Sequence, residues 1–398
     1  MRPGLKTILC LAIEAGATLT AARPAPPSSQ TFLNRTIYDP PDGARALYPR
    51  VAELHDGTLL VTSTVGFGRI SPSGDLPSFP IFESKDGGLS WKWISNLTDQ
   101  VNGWGMSAQP ALLELREPLG GFEPGTILAS GNSWSSNGTR IDLYASTDKA
   151  RTWEFVSRVT EGGRPNTTNG ATPVWEPFLL TYDNELICYY SDQRDPKHGQ
   201  KLAHQRSKDL KTWGPVVNDV AYDLYEARPG MTVVAKVEPI NKWIVVFERP
   251  IGNSSSHGAN YPVHYRLADK PTEFDSAESI PIVINDVFAP NASPYVVWSP
   301  VGGPNGTIIV SDADYPEVYT NRRGGDPDAW EMHPTGQPPA YSRALHVFEK
   351  HPDRLAIIGG ATFDAGGPDS LSLSVVSLKE LLKTKSDPPL PTPQARST

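Results

Sequence analysis

Cysteine is nearly missing from this chain: only Cys10 and Cys188 occur. Cys10 falls in an apolar N-terminal stretch that reads as a leader, so the mature chain keeps one thiol and cannot be a disulfide-stapled fold. Cys188 lies inside the apolar run Leu186-Ile187-Cys188-Tyr189-Tyr190 and reads as a small buried hydrophobe rather than a nucleophile. Long apolar runs are missing too. None reaches the ~20 residues of a membrane-spanning helix, so a soluble mature protein is expected. Basic clusters do not extend beyond Arg322-Arg323, and the formal charge is −8. Both features argue against a nucleic-acid partner and weakly against a polyanionic substrate. The histidines are scattered without metal-ligand spacing, and no Gly-rich loop joins a strand to a helix. No metal or cofactor is expected.

Glycine and proline, by contrast, are abundant, at 34 and 39 residues. They punctuate short apolar runs, as in a protein of many strands and turns. Residues 1–22 have the order of a signal peptide: Arg2 and Lys6, then the apolar stretch Thr7 to Leu19 interrupted by Glu14, then Ala21-Ala22. Seven Asn-x-Ser/Thr sequons, at Asn34, Asn96, Asn137, Asn166, Asn253, Asn291 and Asn305, fit a secreted glycoprotein.

A short motif recurs along the chain. Ser84-x-Asp86-x-Gly88-x-Ser90-Trp91 is followed by Ser146-x-Asp148-x-Ala150-x-Thr152-Trp153 and by a shorter form, Ser207-x-Asp209 with Thr212-Trp213. Asp326 to Trp330 is a worn copy. The pattern resembles the Asp-box of sialidase-like propellers, a hairpin turn in which Asp serves its own backbone and Trp packs between sheets. Six pairs of apolar runs alternate with these turns, from Arg50–Leu54 with Thr58–Ser63 to Leu345–Phe348 with Arg354–Ile358. Fixed-period similarity means a repeat architecture, and a six-bladed β-propeller over residues 31–382 is expected, an all-β fold of one domain. Thr36-Ile37-Tyr38 should close the ring beside Leu371–Val376, Leu378–Leu382 should form a helical turn, and the Pro-rich residues 385–398 should be a disordered tail.

Residues at inner-strand starts, and at the ends of the next strands, converge on one mouth of such a ring. Glu176 stands between Trp175 and Pro177-Phe178, an apolar setting that should raise its pKa and suit a general acid. Glu248 ends the run Ile244–Phe247, where Arg249 or another nearby cation could keep it ionised. Together they could form the carboxylate pair of a glycosidase; each could equally end a strand in a salt bridge. Arg50, Arg228 and Arg343 hold matching positions and could clamp a carboxylate or orient the acids. Tyr341 could donate to a glutamate or act as a nucleophile. Trp104, Trp175 and Tyr315 are candidate sugar platforms, and Asp312 and Asp314 could bind hydroxyls or sit in a solvated turn.

Tyr48-Pro49-Arg50, Val174-Trp175-Glu176-Pro177-Phe178, Val246-Phe247-Glu248-Arg249-Pro250 and Tyr341-Ser342-Arg343 together resemble fungal exo-arabinanases of glycoside hydrolase family 93, over residues 31 to 382. The resemblance implies a sialidase-like propeller that releases arabinobiose from the non-reducing end of linear α-1,5-arabinan with retention, using two glutamates and a nearby tyrosine. These carry to Glu176, Glu248 and Tyr341. It also implies no metal or cofactor. The apolar flank of Glu176 and the basic neighbour of Glu248 suggest acid/base and nucleophile respectively. The loops 253–260 and 361–368 are candidates for the wall that blocks an exo groove. The expected partner is plant cell-wall arabinan or its oligosaccharides, met by a monomer. Two other readings remain at this point. A sialidase would use the three arginines, a tyrosine nucleophile and an early-loop acid such as Asp75. A lectin-like propeller would bind sugar without cleaving it.

Overall fold

The computed structural model describes residues 30–41, 43–66, 74–252, 254–364 and 368–386. The expected leader lies outside the described residues. Six four-stranded antiparallel sheets form the blades. Their inner strands are Ala46–Glu53, Ala108–Glu114, Val174–Tyr182, Gly230–Val237, Tyr295–Ser299 and Ala344–Val347. Each inner strand contacts the next around the ring, and the last contacts the first, so the ring is closed. Blade six is completed by the N-terminal strand: Phe32–Tyr38 pairs with Leu371–Ser377, matching Phe32 to Val375 and Tyr38 to Leu371. The expected helical turn is present as Leu378–Leu381. The first residues of the expected tail are docked, with the Ser386 N–H on Met332 O and Lys385 paired to Glu331; residues 387–398 lie outside the described residues.

The core lies between blades rather than within them. One apolar cluster joins Leu128, Ile141 and Leu143 of blade two to Leu179, Leu186 and Tyr190 of blade three, and another joins Tyr189 of blade three to Val245 and Phe247 of blade four. Because each strand alternates its side chains across a sheet, both faces of a blade are buried against neighbours.

The Asp-boxes are the hairpins between third and fourth strands. In the first, the Asp86 carboxylate accepts the Ser90 N–H and hydroxyl, while Ser84 Oγ accepts the Gly88 N–H. Gly88 has φ +94°, and a Cβ there would stand 2.4 Å from Leu373 of blade six. In the second and third boxes the left-handed residue is Ala150 or Leu210 instead. The worn copy keeps one part of the wiring, with Asn321 Oδ1 accepting the Gly325 N–H in the role of Ser84, while Arg323 stands at the aspartate position.

The second and third boxes grip the preceding blade. Ser95 of blade one donates to Ala150 O at 2.5 Å and accepts Trp153 Nε1–H at 3.2 Å. Ser157 of blade two repeats the pattern on Leu210 O at 2.6 Å and Trp213 Nε1 at 3.0 Å. A single hydroxyl thus satisfies a carbonyl and an indole across the seam. Ser95→Ala should lower the unfolding free energy by about 1–3 kcal/mol, since it orphans two groups at a buried seam. Urea denaturation followed by tryptophan fluorescence measures this; an unchanged midpoint would show that the seam is held by packing alone.

Candidate active site

Strain marks the other face. The residues at or just before the six inner-strand starts, Tyr48, Gln109, Glu176, Met231, Ser293 and Ser342, all have positive φ, between 46° and 64°. None is glycine, so each costs on the order of 1–3 kcal/mol and persists because its surroundings hold it. In blades one to four these residues sit in register shifts, or bulges, between the first two strands.

What holds Gln109, Glu176, Met231 and Ser293 is a repeated clasp between blades; the Tyr48 N–H is taken by Tyr341 O instead. Thr64, Asn132, Ser191 and Glu248 occupy the same register position on second strands, opposite Leu47, Ala108, Trp175 and Gly230. Thr64 Oγ1 accepts the Gln109 N–H at 2.9 Å, and Asn132 Oδ1 accepts the Glu176 N–H at 3.0 Å. Glu248 Oε2 accepts the Ser293 N–H at 2.8 Å. At the third seam Glu176 Oε2 itself takes the Met231 N–H at 2.7 Å, together with the Ser191 hydroxyl at 2.7 Å. The two glutamates therefore replace the neutral acceptors of a structural clasp.

Both carboxylates face one cavity. A Cβ on Gly230 would lie 3.4 Å from Glu248 Oε1 and 3.6 Å from Glu176 Oε2. The facing oxygens are thus no more than about 7 Å apart, inside the wide spacing of roughly 9 Å found in many inverting glycosidases. The cavity has two lobes of ≈ 650 Å³ each, which share Glu248, Tyr261, Tyr341 and Phe363. Trp134, Trp175, Glu176, Gln200 and Arg228 line the first; Asn291, Asp314 and Tyr315 line the second. Asn260 of the loop 253–260 and Thr362 to Asp364 of the loop 361–368 wall it.

Burial raises both acids. Glu248 is pushed up to about 8, first by burial and then by the charge of Glu176. Glu176 is raised by burial too, against two hydrogen bonds and the charges of Arg50 and Arg228. Two carboxylates so placed cannot both ionise freely, so the pair titrates as a unit and shares a proton near neutrality. Burial and both carboxylates also hold the Tyr341 phenol well above its usual value, hence protonated.

Several residues are not where the sequence suggested. Arg249 does not face Glu248; its guanidinium stacks on Tyr222, 4.1 Å from the ring centroid. Arg343 is fully buried and bonds Pro316 O and Glu317 O, outside the lining. Arg50 lies beneath the site, over Tyr48 at 4.0 Å, bonded to the Pro49 and Ser342 carbonyls. Arg228 lines the first lobe but is bonded to Asn169, Gln193, Gln200 and Gly199. No three arginines converge. Trp104 is covered by Arg140 at 4.3 Å and lies outside the cavity lining; Trp134, edge-on to Trp175 at 5.6 Å, takes that place. Asp75 lines a separate depression. Asn291, read as a sequon, has its amide nitrogen on Asp314 Oδ2 and its oxygen on the Tyr261 N–H, so it is a wall residue. Among the described residues no group of three or more His, Cys, Asp or Glu is placed to hold a metal.

A closed propeller with a buried carboxylate pair at its mouth is the architecture of a glycoside hydrolase in the sialidase-like class. Comparison with solved structures narrows it. The chain is 46% identical to an α-L-arabinofuranosidase of Fusarium graminearum in complex with an iminosugar inhibitor, over 88% of this chain and 99% of that one, with TM-score 0.84. It is 48% identical to the same organism's family 93 enzyme in complex with arabinobiose, with the same coverage and TM-score 0.83. It is 41% identical to a Penicillium chrysogenum α-L-arabinanase complexed with arabinobiose, again over 88% and 99%, with TM-score 0.82. The NanB sialidase of Streptococcus pneumoniae, at 10% identity and TM-score 0.57 over 88% of this chain and 71% of that one, shares the fold alone. Neither a family model nor a curated protein matches. The chain belongs to glycoside hydrolase family 93.

Folding takes up a proton at Glu248, so its contribution to stability is fully present below 4.5 and is lost as pH rises toward about 8. The raised pKa of Glu176 acts in the same direction. Glu248→Gln keeps an acceptor for Ser293 and removes the charge. It should raise the thermal midpoint at pH 8 and leave it nearly unchanged at pH 4. Equal shifts at both values would remove the coupled pair from the account.

Proposed function

We propose that this hydrolase releases arabinobiose from the non-reducing end of linear α-1,5-arabinan, with retention of configuration. The observation that carries the reading is the approach of Glu176 and Glu248 to one point above Gly230, close enough to act on one sugar and compatible with the ~5–5.5 Å separation of a double-displacement mechanism. The arabinobiose bound by two family members supports the substrate. The aromatic walls Trp134, Trp175 and Tyr261 suit furanose faces, and the loops at Asn260–Tyr261 and Thr362–Asp364 suit a groove that admits a chain end.

The roles follow from the hydrogen bonds. Glu176 Oε2 accepts two donors, and two guanidinium charges act on it, which favours the anion. Glu248 accepts one donor and is pushed up to about 8, which favours the acid. Glu176 then attacks the anomeric carbon while Glu248 protonates the leaving oxygen. In the second step Glu248 deprotonates the incoming water. Tyr341, kept protonated between the two, donates rather than attacks. This reverses the assignment suggested by the flanking residues, because Arg249 turns away from Glu248. The leader-like residues 1–22 and the exposed sequons at Asn34, Asn96, Asn137 and Asn166 support a secreted protein, which we propose acts as a monomer on plant cell-wall arabinan.

Product analysis on linear and branched arabinan tests the reading: disaccharide alone is expected, and a ladder of oligomers contradicts exo action. Gln at either glutamate should cut turnover by at least ~10³. Azide should rescue Glu248→Ala to a glycosyl azide of retained configuration and Glu176→Ala to one of inverted configuration. The opposite pairing would exchange the roles.

A further inference from the structure

The structure assigns Asp312 as a positioning residue for Glu248, acting through the corner Asn291-Ala292-Ser293. Asp312 follows the second strand of blade five and is fully buried. Its Oδ2 accepts the Asn291 N–H at 2.9 Å, and its Oδ1 accepts the Tyr315 N–H at 3.3 Å. The next N–H, of Ala313, reaches both Asn291 O and Ala292 O, at 3.2 and 3.0 Å. From blade four, Tyr261 O takes the Ala292 N–H at 2.9 Å. Asn291 is thereby tied from both sides of the seam.

The two residues beyond it are left-handed in succession, Ala292 at φ 63° and Ser293 at φ 46°. Two such non-glycine residues relax unless they are held. In this arrangement the Ser293 N–H meets Glu248 Oε2 at 2.8 Å, and that bond orients the carboxyl and sets its second oxygen toward the cavity. Asp312 is a costly group to keep for packing: burial pushes it up to about 7 against the pull of Arg343. Arg343 spends its hydrogen bonds on Pro316 O and Glu317 O, and faces Asp312 as its counter-charge. Asp312 does not line the cavity, and Asn291 and Tyr315 stand between it and any substrate. It touches no reacting atom.

Asp312→Leu removes both acceptors at similar volume, and Asp312→Asn keeps one acceptor oxygen for Asn291. Kinetics on linear arabinan should show kcat reduced about tenfold or more in the Leu variant with KM within about threefold, and most of that loss restored in the Asn variant. Crystal structures of both variants provide an arm independent of substrate: Ser293 N should leave Glu248 Oε2 in the Leu variant and stay in the Asn variant. A corner that keeps its 2.8 Å bond in Asp312→Leu, or a kcat loss no larger than the loss of folded protein, would overturn the assignment. The inference rests on the arabinan reading only for its kinetic arm. An unaltered chain inactive on arabinan would sink that reading, while the crystallographic arm still decides the role of Asp312.

Discussion

The structure turns on the inter-blade clasp, in which a strained N–H at one blade's entrance is held by a side chain of the blade before it. The clasp solves a geometric problem. An inner strand must enter the ring steeply, and a left-handed residue with a bulge turns it, at a cost of a few kcal/mol per blade. Thr64 and Asn132 offset that cost with neutral oxygens. Where the acceptor is Glu176 or Glu248, the same bond also holds a carboxylate, buried and aimed inward. The proposed catalytic groups are therefore structural acceptors with a charge added, and their orientation comes from the ring rather than from loops.

Electrostatics then divides the labour. Neither acid has a direct ion pair; both are raised by burial, and Glu248 is raised further by the charge of Glu176. What separates them is the count of donors and the charge of Arg50, which acts on Glu176, whereas Arg228 acts on both. Substrate entering the cavity displaces water and strengthens this difference. The protonated Tyr341 phenol sits near both acids and can follow the charge as it moves.

The fold was legible because its signals are local. Asp-boxes are turn chemistry written in a few residues, and the fourth is worn because Asn321 stands for the serine, Arg323 for the aspartate, and Trp330 follows two residues late. Paired apolar runs counted the blades, and Glu176 and Glu248 were found because strand position predicts which face a residue reaches. The inner strand of blade one begins at Ala46 rather than Arg50, since polar and proline residues in a bulge do not read as strand. Partner choice among arginines was not legible. Arg50, Arg228 and Arg343 hold similar places in sequence, yet one lies over Tyr48, one lines the cavity and one is buried on Pro316 O and Glu317 O. Trp134, Gln200, Tyr261 and Gly230 left only a faint trace. Four of the six strained positions precede proline, at Tyr48-Pro49, Gln109-Pro110, Glu176-Pro177 and Ser293-Pro294, and that repeat was the missed signal.

The pairing of Phe32–Tyr38 with Leu371–Ser377 has a consequence for biosynthesis. A ribosome makes Phe32–Tyr38 long before Leu371–Ser377. Until Leu371–Ser377 emerges, the nascent chain carries unsatisfied strand edges at both ends of an open arc, with only local hairpins complete. Ring closure is then a late, all-or-none event of high contact order, and cellular quality control must shelter the arc until the final blade arrives.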